Sequence, residues 1–180
     1  MSYIQKYPLL PPLAKIERHD HLPEDAVVIG QCRQVEKENN PNYVFVKRGQ
    51  FLTLLVTYVS EWKGEKKYKC WKYDFPLKVL SWFPKALADF QRPPADGGLH
   101  AGAMISKDQD VDGEMLAVGS TTRGYNITNW SRDDRGVDAH PDRYRPTTLD
   151  LSYELLNDFG LLRVWKELGD KYDAGELSGS

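Results

Sequence analysis

The most hydrophobic run in the chain, Phe51-Leu-Thr-Leu-Leu-Val-Thr-Tyr-Val59, is rich in β-branched and aromatic residues and reads as a strand. It stops at Glu61-Trp62-Lys63-Gly64-Glu65, where the glycine supplies a turn with its permissive position, and an alternating run over 66–75 returns from it. A two-residue turn at Lys63-Gly64 sets the register. Trp62 then faces Glu65, Tyr58 faces Lys69, Val56 faces Trp71, Leu54 faces Tyr73 and Leu52 faces Phe75. This face is expected to be a packed core layer with Trp71 and Tyr73 buried. The opposite face carries Phe51, Thr53, Leu55, Thr57, Val59 and Glu61 against Asp74, Lys72, Cys70, Tyr68 and Lys66, and its half-apolar, half-basic character makes it the expected open surface.

Further strands are predicted at 26–35 and 43–48 before the hairpin and at 99–107, 114–121 and 125–130 after it, separated by polar and glycine-bearing turns that include 36–42 and 108–113. A helix is expected from about 82 to 91, with Ser81 as N-cap, Pro84 in the first turn, and Phe83, Ala86, Leu87 and Phe90 along one face. The segment 92–98, with two prolines and two glycines, ends that helix and reads as a linker. Residues 131–146 read as a charged loop with both signs interspersed. A second helix is expected from Thr147, with Asp150 in the acidic place of a capping box and Leu151, Leu155, Phe159 and Leu162 at helical spacing, kinked or split at Gly160. Residues 1–24, with Pro8, Pro11, Pro12 and Pro23, form an expected extended arm whose leucines pack on the body, and 173–180 an expected flexible tail. The element order predicts an α+β fold: twisted antiparallel sheets with a short central helix and a C-terminal helix packed on one face. Residues 25–172 read as one domain made of two related β-rich halves, 25–92 and 99–172.

Composition narrows the partners. At 180 residues, 41% hydrophobic and 28% charged, the chain can bury a sizeable core and is not generally disordered. Its formal net charge of −2 gives no overall attraction for nucleic acid, so any such contact must come from a local patch. Cys32 and Cys70 lie far apart in sequence and are expected as free thiols in a reducing cytoplasm. Neither a signal-peptide segment nor a membrane span is read, so the expected location is cytoplasmic, with no membrane partner.

From 26 to 171 the order of elements, together with the aromatic and basic hairpin at 62–75, resembles the single-strand nucleic-acid-binding modules of the PUR, PC4 and Whirly type, in which a curved antiparallel sheet is backed by a helix. That resemblance implies binding of single-stranded DNA or RNA, and no individual binding residue is carried over from it. The residue chemistry points the same way. Between Lys63 and Lys72 stand five lysines (Lys63, Lys66, Lys67, Lys69, Lys72) against one acid, Glu65, with Trp62, Tyr68, Trp71 and Tyr73 among them. Cations that track phosphates and rings that stack on bases are what a single strand requires. The candidate contacts are Lys63, Lys66, Tyr68, Lys69, Lys72, Phe51 and Trp62, with Tyr68, Lys66 and Lys72 the best-placed set by register. The competing explanation is that lysines on an exposed strand simply keep it from pairing with other edges. The competing function is a non-catalytic protein-interaction module, a homodimer or a partner-docking unit using the arm or the C-terminal helix with Trp165.

No catalytic motif is read and no cofactor is expected. Asp108, Asp110 and Asp112 match the first half of a calcium loop, but the twelfth position is Gly119, so a solvated turn is the expectation. His19-Asp20-His21 lacks third and fourth ligands at metal-site spacing. Asp133, Asp134, Asp138, His140 and Asp142 could assemble a carboxylate-held cation, but the interleaved arginines favour a self-paired loop.

Overall fold

The computed structural model of the chain describes residues 3–33, 40–134 and 143–178. The first four strands, β1 (Ala26–Arg33), β2 (Asn42–Arg48), β3 (Phe51–Trp62) and β4 (Glu65–Pro76), form an antiparallel meander in the order β1-β2-β3-β4. Helix α1 (Val79–Gln91) follows. The second meander, β5 (Gln109–Val111), β6 (Glu114–Ser120), β7 (Gly124–Asp133) and β8 (Pro146–Ser152), is followed by a π-helical turn, Glu154–Asp158, and by α2 (Leu161–Asp173). The α+β class, with two four-stranded antiparallel sheets and a C-terminal helix, is present as expected.

Turn chemistry explains both central hairpins. Lys63 and Gly64 have φ of 50° and 78°, and Asp112 and Gly113 have 49° and 90°, the paired left-handed residues of a turn whose twist matches the strands it joins. The β3–β4 register is the one the sequence predicts, from Leu52 opposite Phe75 to Trp62 opposite Glu65. One core cluster runs through the molecule. Phe45, Leu52, Leu54 and Phe75 of the first sheet and Leu116, Ile127, Leu149 and Leu151 of the second meet Phe83 and Leu87 of α1 and Trp165 and Leu168 of α2. Trp165 is central: fully buried, it packs on Phe45 and Phe83 and donates from Nε1 to the Val79 carbonyl at 3.1 Å.

Several expectations are corrected. Helix α1 begins at Val79, three residues earlier than expected, so Ser81 is no cap: it is buried, and its Oγ accepts from Lys85. Pro84 accordingly sits in the helix interior, where it removes the N–H that would bond the Leu80 carbonyl. Thr147 and Asp150 do not start a helix. They lie in β8, where Thr147, Leu149 and Leu151 point inward and Asp150 outward, a period of two that places β8 beside β7. The segment 99–107 is not a strand. Apart from one bridge between Ile105 and Gly119 it is irregular, and Met104 and Ile105 are exposed. Residues 131–133 of the expected charged loop complete β7, and 174–177 of the expected tail form turns, with Leu177 against the core. Gly160, with φ of 80°, separates the π-helical turn from α2, as expected.

Among the described residues, no helix is long and apolar enough to cross a membrane.

Candidate nucleic-acid interface

The hairpin β3–β4 is longer than anything laid against it. Twelve strand residues at about 3.3 Å each reach about 40 Å, whereas the thirteen residues of α2 at about 1.5 Å each span about 20 Å. Helices therefore cover only the base of its inner face, where Leu52, Leu54 and Phe75 are fully buried. Beyond them the same face continues as Val56 opposite Trp71, Tyr58 opposite Lys69, Ser60 opposite Lys67 and Trp62 opposite Glu65. Trp71 is 55% exposed and Trp62 76% exposed. Lys67 and Lys69 are exposed, and Tyr58 and Tyr73 are half-buried. The expectation that Trp71 is core is thus corrected: alternation assigns its face, and the length of the strand leaves that part of the face uncovered.

The outer face is the covered one. The N-terminal arm lies along it, and Ile16, 2% exposed, sits in a small second cluster with Val44, Val46 and Leu55. It is this isoleucine, more than the leucines, that pins the arm. Tyr68 Oη accepts from the His19 backbone N–H at 3.1 Å and lies 2.7 Å from His19 Nδ1. The His19 ring stacks on the tyrosine at 5.8 Å, and the Arg18 guanidinium stands 4.4 Å from its ring centre. Lys72 Nζ donates to the Leu13 carbonyl at 3.1 Å and to Asp74, whose other oxygen accepts from Thr53 at 2.7 Å. Phe51 lies under the Arg132 guanidinium at 5.3 Å. The face expected to be open is therefore closed, by the arm over Tyr68 and Lys72 and by Arg132 over Phe51. Burial pushes up the Tyr68 phenol and the Cys70 thiol, so neither ionises readily here.

Of the seven candidate contacts, the structure places Trp62 and Lys69 on the open inner face and Lys63 in the turn at the hairpin tip. Lys66 is on the outer face near the tip, Tyr68 and Lys72 lie further back on that face under the arm, and Phe51, at its base, lies under Arg132. Trp71, Tyr58 and Lys67 join the open set. Comparison of element lengths was the signal that could have found them.

The remaining candidates have structural occupations. Asp108 accepts from the Tyr7 hydroxyl at 2.7 Å and pairs with Lys6 at 3.7 Å, tying down the start of the arm. Asp110 accepts from the Gly113 N–H at 2.7 Å, inside the hairpin turn, and Asp112 is the other turn residue. Asp20 pairs with Arg18. Among the described residues no three His, Cys, Asp or Glu side chains are grouped to hold a metal. Asp138, His140 and Asp142 lie outside the described residues. Both thiols are free, Cys32 donating to the Phe159 carbonyl and Cys70 to that of Ile16.

Set against family models, characterised proteins and solved structures, the chain matches none. Its function has to be argued from these residues alone.

Proposed function

We propose that the protein binds single-stranded DNA or RNA on the inner face of the projecting β3–β4 hairpin. Trp71, Tyr58 and Trp62 offer faces for bases to stack on, and Lys67 and Lys69, with Lys63 at the tip, follow the phosphates. The observation that carries this reading is the pair of largely exposed tryptophans on one lysine-bearing sheet face. Exposed indole rings in a row suit flat, unpaired bases, and the ammonium groups beside them suit the backbone that links those bases. The likeness in element order to the PUR, PC4 and Whirly type, read from the sequence, supports the same reading.

The protein-interaction alternative loses part of its basis, because Trp165 is fully buried and has no surface to offer a partner. Self-pairing along β4 is opposed by the run of lysines on that edge strand.

Fluorescence anisotropy with a labelled oligothymidylate and its duplex, across a salt series, tests the proposal. The single strand is expected to bind more tightly. Trp71→Ala and Trp62→Ala should each cost about 1–3 kcal/mol, and Lys67→Gln and Lys69→Gln should each flatten the salt slope by about 0.7. Absence of binding at low salt, or binding indifferent to both tryptophans, rejects the reading.

A further inference from the structure

The N-terminal arm covers a row of cations and rings that it satisfies only in part. Following the arm from its start, the Tyr3 ring meets Trp130 edge-on at 6.2 Å, and Lys6 Nζ stands 4.3 Å from the centre of the same indole. The Leu10 N–H bonds the Ser131 carbonyl. Three carbonyls of the arm then accept from three cations rising out of the sheets: Pro11 from Arg132 at 3.1 Å, Leu13 from Lys72 at 3.1 Å and Ala14 from Arg48 at 2.8 Å. At the far end the His19 ring stacks on Tyr68. Rings occupy both ends and anion-like oxygens the middle, which is how a short single strand would present itself to the same residues.

The arm fills this place imperfectly. Arg48 is 5% exposed, yet its Nε has no hydrogen-bond partner, and the buried Trp130 Nε1 also has none. Buried donors left unmet carry a desolvation cost, and a peptide carbonyl has only one oxygen to bring. A phosphodiester brings two unesterified oxygens and a negative charge, and can meet a guanidinium with paired hydrogen bonds. Three acids border the furrow: Glu114 holds Arg132, Asp74 holds Lys72, and Asp108, at the Trp130 end, holds Lys6 and Tyr7 of the arm. Three cations against three carboxylates leave no net charge once the arm is displaced, so the track is poor for a free phosphate ion and would hold a strand by stacking and by paired guanidinium hydrogen bonds.

We propose that the row Tyr68, Lys72, Arg48, Arg132 and Trp130 is a second binding track for single-stranded nucleic acid, and that the arm is a stand-in for the strand, displaced when one binds. The inference extends the hairpin reading, since β4 carries both faces and a strand on Trp71 can turn around that edge strand toward Tyr68.

Limited trypsin digestion of the full chain, with and without excess oligothymidylate, reads the arm directly through cleavage after Lys6, Lys15 and Arg18. Displacement raises the open population of the arm, so cleavage there is expected to accelerate about tenfold or more. A chain that binds the oligonucleotide in a Trp71-dependent way while its arm stays as resistant as before overturns the second track and leaves the hairpin reading intact. Ile16→Asp, which expels the anchor of the arm, is expected to bind about tenfold more tightly because the competing segment no longer holds the site. If the wild-type chain binds nothing, the hairpin reading fails. Binding by the released chain alone would then support the track, and no binding by either rejects both. Should Ile16→Asp not fold, the digestion of the wild-type chain decides.

Discussion

Replacing Gly169 by alanine puts the packing of the two helices to a direct test. An alanine Cβ at this position would stand 2.5 Å from the Leu80 carbonyl oxygen and 3.1 Å from its carbon, both backbone atoms of α1. No rotamer can relieve that contact, so the helices must part by about 0.5–0.9 Å to reach ordinary van der Waals separation. A helix of 13 residues is about 20 Å long, and its contact face is about 8 Å wide. Opening that face by this amount leaves about 100 Å³ of lost packing, which at about 24 cal/mol per Å³ costs about 2–3 kcal/mol. Alanine returns about 1 kcal/mol through its better helix propensity. The net expectation is a loss of about 1–2 kcal/mol, which for a chain of this size lowers Tm by about 2–8 °C. The close approach has a cause in the sequence, since Pro84 leaves the Leu80 carbonyl without its intrahelical N–H. Gly30→Ala serves as the contrast, because its Cβ would meet side-chain methyls alone, the nearest Leu168 Cδ1 at 3.0 Å and Val164 Cγ1 at 3.5 Å, and these can give where a backbone carbonyl cannot. Calorimetric melting of both variants decides. A Tm for Gly169→Ala above that of the wild-type chain would mean that propensity outweighs packing and that the helix interface is not held as argued.

Two further predictions concern buried groups. Asp74→Asn removes the charge that Lys72 and Thr53 surround and leaves the partly buried Lys72 ammonium with neutral acceptors alone, the new amide oxygen and the Leu13 carbonyl, which should cost about 3 kcal/mol in a denaturant titration, partly recovered by adding Lys72→Met. Burial pushes the Tyr43 and Tyr144 phenols up to about 12. Below pH 10 both folded and unfolded chains keep these protons and nothing is gained or lost. Between pH 10 and 12 the unfolded chain ionises first, so stability should fall by up to about 1.4 kcal/mol per pH unit for each tyrosine. Alkaline denaturant melts should show this fall, and tyrosinate absorbance should rise in a late step that coincides with unfolding. Normal early titration of all the tyrosines would contradict it.

The sequence was most legible where two local signals agree. Gly64 and the two-residue turn fix the β3–β4 register, and alternation then assigns every side chain of the hairpin to a face. Alternation does not say what lies over a face. Trp71 shares a face with Leu54 and Phe75, which by alternation alone makes it core, and only the mismatch between strand and helix lengths shows that the core ends before reaching it. The strand β8 was hidden by coincidence: Leu151, Leu155 and Phe159 fit a helical spacing, while Leu149 and Leu151, two apart and preceded by Pro146 and two threonines, fit a strand. The arm was the least legible part. Beyond the anchor at Ile16, its grip on the body comes from the carbonyls of Pro11, Leu13 and Ala14, and backbone oxygens carry no pattern in the sequence.

This inverts the usual link between polarity and exposure in the hairpin. Thr53, Thr57 and Asp74 are buried because each polar group finds a partner there or the arm excludes water above it, while the aromatic face stays in solvent. An exposed tryptophan forgoes burial worth up to about 3 kcal/mol, and two on one lysine-bearing face make a surface poorly suited to remain bare. A purely apolar partner would strand Lys67 and Lys69 without counter-charges, and a purely anionic one would leave the indoles unused. A chain of flat rings joined by charged links satisfies both groups at once. That double fit is the physical ground for the proposal that a single strand of nucleic acid occupies this hairpin.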